Sequence, residues 1–499
     1  MTPESPEEAI RRIAGEAARR AREAVDDVRR PPFRTEGADP QPGGRPGEVA
    51  AAERYAAQLA GRGVHGVICS WVDTAGINRI KTIPTRRLPS AVAWGVGMSP
   101  VFDTFLADDS IVATDVLGSP DGDLRLYPDL ERLTPLAGQP GWAWAPVDRV
   151  TQDGDSHPAD TRTLLRRQVR AAREHGLEIK AAVEIEFALG RDDAPAGEFA
   201  PACQGPAYGM IRLVELTDFS ADLLAALAAQ DVDVDQVHPE YAAGQFEVSA
   251  GALDPVGAAD RSILVRQTIR AVARKHGLRA SFAPSVVAGS VGNGGHIHLS
   301  AWRGVRNLHS GGEGRYGLTT EAEAFTAGIL AELPALAAVA TPSPSSYLRL
   351  VPSHWAGAYA CWGRETRETA IRLITGMVGH RDTSANVEVK SADLAANPYL
   401  LLSALIAAGV AGMEQGSPLP PEVTGDPARF DPEELQRRGI RRLPQSLAEA
   451  TEEFAGSAVL KAALGPVLHD AVVAVRRGEV ARTAELAPDA VAAAYRWVY

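Results

Sequence analysis

Four short segments place polar groups at i and i+2 with apolar residues between them. In AAVEIEFAL, Glu184 and Glu186 alternate with Val183, Ile185 and Phe187; in GQFEVS, Gln245, Glu247 and Ser249 alternate with Phe246 and Val248. In GHIHLS, His296, His298 and Ser300 alternate with Ile297 and Leu299; in NVEVKS, Asn386, Glu388 and Lys390 alternate with Val387 and Val389. A period of two marks a β-strand with one polar face. Singly, each reads as an ordinary amphipathic strand with its polar side in solvent. Together they differ from a solvated sheet, because the polar faces carry Glu and His where Lys, Thr and Ser are usual. If the sheet curves so that these faces meet, carboxylates converge. Two unit charges about 4 Å apart interact by about 4 kcal/mol at an effective dielectric of about 20, so such a cluster needs cations or raised pKa values. Carboxylate-dominated coordination suits Mg²⁺ or Mn²⁺, with histidine shifting the balance toward Mn²⁺, and paired metals on carboxylates suggest phosphoryl chemistry.

A second group is cationic and glycine-rich. RLVPSHWAGAYACWGRETRETAIRL contains Arg349, Arg364, Arg367 and Arg372, and GSVGNGGHIH carries Gly289, Gly292, Gly294 and Gly295, which let backbone approach a ligand. Arg367 and Arg372 are five positions apart and share a face of neither an ideal helix nor an ideal strand. The sequence has neither a GxxxxGK[ST] loop nor a GxGxxG turn after a strand, so a nucleotide site here is of another type. Cys69, Cys203 and Cys361 are too far apart for a CxxC site or a disulfide framework, which fits a reducing cytosol.

The elements that must position these groups fall into two folded parts and an extension. Residues 1–50 combine an Ala/Arg/Glu-rich stretch at helical spacing with a Pro/Gly-rich linker, read as a flexible extension. Residues 51–155 hold VHGVICSWVD and GINRIKTIP, two strands around a turn at Thr74-Ala75-Gly76, in a small α+β domain. After the break TQDGDSHPAD, residues 156–499 alternate helices with short strands; LLRRQVRAAREHG and RSILVRQTIRAVARKHG are helices closed by Gly176 and Gly277. The net charge of −12, from 51 Lys+Arg against 63 Asp+Glu, argues against nucleic acid or an anionic membrane as partner. The stretch near Leu400 to Met413 is read as the most apolar, and it is shorter than the roughly 18 residues of a membrane span.

From about residue 60 to 499 these motifs, with HPE ahead of GQFE and NPYL after VEVK, resemble in order type I glutamine synthetase and its γ-glutamyl-amide and polyamine ligase relatives. The resemblance implies an α+β fold: an N-terminal β-grasp domain, then a glutamine synthetase-type catalytic domain with a curved antiparallel sheet, assembled as stacked hexameric rings, a dodecamer with sites between subunits. It implies small-molecule acid and amine substrates, ATP, and at least two Mg²⁺ or Mn²⁺ ions. Glu186, Glu240 and Glu247 would hold one metal, and Glu184, His296 and Glu388 the second; His298 and Ser300 would lie along the nucleotide. Arg367 and Arg372 would clamp phosphates, Arg367 catalytically, while Arg349 would bind the substrate carboxylate beside Gly292. Asp103 in SPVFDTF corresponds to the family's catalytic flap aspartate.

Departures concentrate at the amine. The flap glutamate that in glutamine synthetases binds and deprotonates ammonium aligns with Trp355, and the arginine expected two residues after the metal glutamate is Lys390, which lacks the bidentate fork. An asparagine expected before the glycine-rich turn aligns with Val291, and a lysine expected before Pro284 with Ala283. The reading is an ATP-dependent ligase condensing a carboxylate, glutamate's γ-carboxylate, with an amine other than ammonia. An authentic glutamine synthetase and a catalytically weak regulatory relative are the alternatives. The loop ARFDPEELQRRGIRRLPQSL contains no tyrosine where adenylylated family members carry one, so no adenylylation is expected there.

Overall fold

The computed structural model describes residues 47–195 and 197–499. Most of the expected extension, residues 1–46, lies outside the described residues. Its last residues depart from the expectation: Gly47, at φ 87°, opens the helix Glu48–Gly61, because the Glu-Val-Ala-Ala run that follows favours helix over linker.

The N-terminal part is a six-stranded sheet of β1 (Gly66–Val72), β2 (Asn78–Pro84), β3 (Val96–Met98), β4 (Leu124–Pro128), β5 (Thr134–Pro135) and β6 (Trp142–Thr151). Its order is β2-β1-β6-β4-β3, with β1 parallel to β6 and β5 pairing β6, the mixed arrangement expected of a β-grasp. Helices Glu48–Gly61 and Leu88–Trp94 bury Ala52, Leu59, Leu88 and Val92 against Val67, Ala143 and Ala145 of the sheet. The β1–β2 turn projects into the second part of the molecule. Asn397 Nδ2 donates to the carbonyls of Val72 and Asp73 at 3.1 Å each, and Arg476 Nη1 donates to Thr74 at 3.0 Å. Gly76 is required there: at φ 85°, a Cβ would lie 1.9 Å from the Ala395 carbonyl oxygen.

The larger part contains β7 (Glu178–Val183), β8 (Ile185–Arg191), β9 (Val234–Pro239), β10 (Gln245–Ala250), β11 (Leu278–Ser281), β12 (Ile297–Arg303), β13 (Arg306–Asn307), β14 (Tyr359–Arg364), β15 (Thr369–Ile374), β16 (Asn386–Val389) and β17 (Arg441–Arg442). They form two sheets rather than one. A four-stranded sheet runs β11-β8-β10-β9; a seven-stranded sheet runs β13-β12-β16-β15-β14-β17, with β7 on the other side of β12. The expected single strand through Glu184 and Glu186 is therefore divided. Its first half pairs with β12 and its second with β10 and β11, and Glu184 sits at the break, its N–H donating to the His296 carbonyl at 3.0 Å. The curved sheet is mixed rather than wholly antiparallel, since β14 and β15 run parallel.

Helices Thr161–Glu174 and Pro255–Lys275 begin at Asp160 and Asp254, whose carboxylates accept N–H bonds from the first turn, and are followed by Gly176 and Gly277 at φ 72° and 69°. Among the described residues, Thr320–Ala340 is the helix whose length and apolarity suit a membrane span, and 78% of its most apolar window is buried. It packs so tightly on Pro398–Gln415 that a Cβ on Gly328 would stand 2.2 Å from the Ala408 carbonyl oxygen.

Candidate active site

The two sheets face each other across a cleft of about 720 Å³. On the smaller sheet, register sets Glu247 of β10 directly opposite both Glu186 of β8 and His238 of β9. On the larger, Glu388 of β16 lies opposite both His298 of β12 and Arg372 of β15. Side chains in register on one face are neighbours by construction, so two polar rows meet over the cleft.

One cluster joins Glu184, His296 and Glu388, whose ligand atoms lie within 4.8 Å of one another. His296 Nδ1 is 2.8 Å from Glu184 Oε2 and 3.4 Å from Glu388 Oε1. His298 Nε2 bonds the other Glu184 oxygen at 2.9 Å, and its Nδ1 bonds Asn386. Burial opposes ionisation of Glu184, yet the His298 and His296 imidazoles hold it well below the usual carboxylate range. The same partnership, against burial, lifts His298 to about 9. Glu388 is clamped by Lys390 Nζ and Arg372 Nη1, both at 3.0 Å; Lys390 most of all, then the two histidines, overcomes its burial and brings it down to about 2.

The second cluster differs from the expected trio. Glu240 and Glu247 group with His238, which stands 3.3 Å from Glu240 Oε1 and 3.5 Å from Glu247 Oε1. Glu186 adjoins them across β8–β10, but its Oε2 accepts the Gly294 N–H at 2.7 Å and Gln245 Nε2 at 3.0 Å, and its Oε1 faces His296 Nε2 at 3.8 Å. Burial, then repulsion from Glu186 and Glu247, pushes Glu240 up to about 7; burial and Glu247 also raise Glu186. His238 was legible: Gln236, His238 and Glu240 continue the i, i+2 pattern in VDQVHPE.

These donors, carboxylate oxygens with one imidazole in each cluster, fit hard divalent cations, which would relieve the repulsion that raises Glu240. Arg349 Nη1 and Arg372 Nε are buried without a partner, as suits groups that bind an anion. Arg349 Nη2 meanwhile donates to His296 Nε2 and to the Lys390 carbonyl, each at 3.1 Å. Arg367 is exposed on the cleft wall, while Arg364 sits over the Tyr316 ring at 4.4 Å. Gly292 also lines the cleft, and a Cβ there would be 2.9 Å from Arg349 Cβ. Two expected residues lie elsewhere. Ser300 accepts the Trp302 indole N–H at 2.8 Å and is not part of the cleft wall. Asp103 is fully buried in the N-terminal part, away from the cleft wall, where Arg149 Nη1 contacts both its oxygens at 2.9 and 2.8 Å and His157 Nε2 lies 3.1 Å away. Arg149, and then His157, outweigh burial and keep its carboxyl below the usual range.

Trp355 stands in the cleft wall on an unusual backbone, at φ 57°, with Ser353 at φ 59°. Its N–H donates to Glu368 Oε1 at 3.0 Å, a carboxylate that the sequence motifs did not single out.

Residues 158–494 match the family model described as glutamine synthetase, catalytic domain. The chain belongs to the glutamine synthetase family. Within this family it is 65% identical, over 92% of its own length and 99% of the relative's, to the gamma-glutamylpolyamine synthetase GlnA3 of Streptomyces coelicolor. It is 29% identical to the glutamate–methylamine ligase of Methyloversatilis universalis, over 81% of this chain and 90% of that one. A crystal structure of a glutamine synthase homolog superposes with a TM-score of 0.78 at 33% identity, covering 87% of this chain and 99% of that one. The family places the cleft among ATP- and divalent-metal-using carbon–nitrogen ligases.

Proposed function

We propose that the chain is an ATP-dependent ligase that converts the γ-carboxylate of glutamate to an acyl phosphate and condenses it with an organic amine. The observation that carries this is Trp355, at the position the resemblance gives to the family's flap glutamate, in the wall of a cleft that keeps both carboxylate clusters. A carboxylate is a poor acyl donor. Transfer of the ATP γ-phosphoryl group gives the acyl phosphate and ADP; the amine nitrogen then attacks, the C–O bond to phosphate breaks, and the ammonium proton leaves to a base. Glu184, His296 and Glu388 on one side, and His238, Glu240 and Glu247 with Glu186 adjoining on the other, would hold at least two Mg²⁺ or Mn²⁺ ions, which supply charge neutralisation during phosphoryl transfer. Arg367 and Arg372 neutralise the phosphate oxygens, His298 orients Glu184 and borders the nucleotide, and Arg349, beside Gly292, takes the substrate carboxylate. Lys390 orients Glu388.

The polyamine ligase at 65% identity and the methylamine ligase support an amine over ammonia. Glu368, hydrogen-bonded to the Trp355 backbone, favours a second reading, a glutamine synthetase whose flap carboxylate comes from another position. Mutually repelling carboxylates kept together argue against an inert regulatory relative. We further propose a cytoplasmic homo-oligomer of stacked hexameric rings. An assay of ADP formation with glutamate, Mg²⁺ or Mn²⁺ and a panel of amines decides the matter: γ-glutamyl amides from alkylamines with poor use of ammonium support the ligase, and efficient glutamine formation at millimolar ammonium overturns it.

A further inference from the structure

The aromatic end of the cleft holds more than Trp355. Tyr241 lies flat against the Trp355 indole, with centroids 4.4 Å apart and planes 13° from parallel. Tyr208 meets Tyr241 edge-on at 5.6 Å and stacks its own face on His238 at 5.1 Å. A continuous row of rings therefore runs from the Trp355 loop to the Glu240 and Glu247 carboxylates, and all of them line the cleft. Trp355, Tyr241 and Tyr208 remain 39%, 40% and 54% exposed, a contiguous apolar strip of the kind that marks a binding surface.

The row is held by polar contacts behind it. The Tyr208 hydroxyl donates to Glu240, the Trp355 N–H to Glu368, and the Ser353 hydroxyl to Asp426 Oδ2 at 2.7 Å. Tyr208, like Trp355, takes a positive φ, 55°, that bulky residues avoid unless their surroundings enforce it. Electron-rich ring faces attract organic cations, and the flat rings take up methylene segments beside them. A one-carbon amine spans none of this length.

Resting on the γ-glutamyl-amide reading above, we propose that Tyr241, with Trp355 and Tyr208, is a binding rail for the distal, non-reacting length of a linear di- or polyamine whose other amino group is acylated. The test compares kcat/KM for spermidine and for methylamine in the full-length protein and in Tyr241→Ala and Tyr241→Phe. Losing one ring face lowers the spermidine-to-methylamine ratio about tenfold in Tyr241→Ala, through KM for spermidine, while Tyr241→Phe keeps the ratio. An unchanged ratio in Tyr241→Ala, or an equal loss in Tyr241→Phe, overturns the rail while leaving the ligase standing. Glutamine formation from ammonium with no amide from either amine overturns both. Should Tyr241→Ala fail to fold, Trp355→Leu gives the same comparison from the exposed partner ring.

Discussion

At the carboxylate end of the cleft, every acidic group is carried by a strand or lies within a residue of one, and cross-strand register fixes its neighbours: Glu247 opposite Glu186 and His238, Glu388 opposite His298 and Arg372. At the aromatic end, Trp355 and Ser353 ride a loop in left-handed backbone, and their places are set by Glu368, Asp426 and a stacked tyrosine. The first end is held by the sheet ladders of the whole domain. The second is held by a few side-chain contacts that substitution can change without disturbing the sheets. A family that varies its amine while keeping its phosphoryl chemistry would divide a site in this way.

The division is sharpest in the largest expected effect. Glu388→Gln removes charge from the strand-borne end and should lower ADP formation about a thousandfold with every amine alike. Coupled-assay rates that fell for one amine and not another would erase the distinction between the ends.

Next in size is a pH effect confined to the carboxylate end. His298 is raised from 6.5 to about 9, so without metal its contribution, of order 3 kcal/mol, is fully present below pH 6.5 and is lost as pH climbs toward 9. Glu388 has the opposite sign: lowered from 4.5 to about 2, it contributes above pH 4.5 and loses that contribution as pH falls toward 2. Thermal melts after EDTA treatment should show Tm falling from pH 6.5 to 9 in the unaltered protein and less steeply in His298→Asn. The Tm gain on adding Mn²⁺ should be larger at pH 9, where the His298 proton no longer holds Glu184. Parallel curves for the two proteins would count against the pairing.

At the aromatic end, Trp355→Glu restores a carboxylate to the loop and should raise ammonium use relative to an alkylamine about tenfold, read as a ratio of kcat/KM values. A uniform loss for both substrates would mean that the indole serves only to hold the loop. The smallest expected effect is none: intact-mass and peptide spectrometry after growth on rich nitrogen should find no AMP adduct between Ala428 and Leu447, a segment without tyrosine.

The same contrast explains what was legible in the sequence. Period-two polarity exposed Glu184, Glu247, His296 and Glu388 because strand geometry converts spacing into facing direction. It missed the division at Glu184, since a chain leaving one sheet for another keeps its alternation. It also passed over His238, whose signal lay in VDQVHPE; Asp103 came from the family resemblance alone, which carries no sign of the buried Arg149 beside it. Tyr208, Tyr241 and Glu368 come together through loops, and no spacing in the sequence encodes that meeting. The β1–β2 hairpin turned as expected because Gly76 announces its turn locally.

Glu184 at the junction of β7 and β8 has one more consequence, for the order in which the molecule forms. Its partners His296, just before β12, and Glu388 on β16 arrive more than a hundred residues later in the chain, so the cluster closes only once these distant strands have joined β7 in the larger sheet. Contacts of such long sequence separation are made slowly, and a half-folded chain offers a divalent ion no complete set of ligands. Binding of Mn²⁺ should then trail the recovery of secondary structure during refolding, which makes the ion a clock for the last step of assembly.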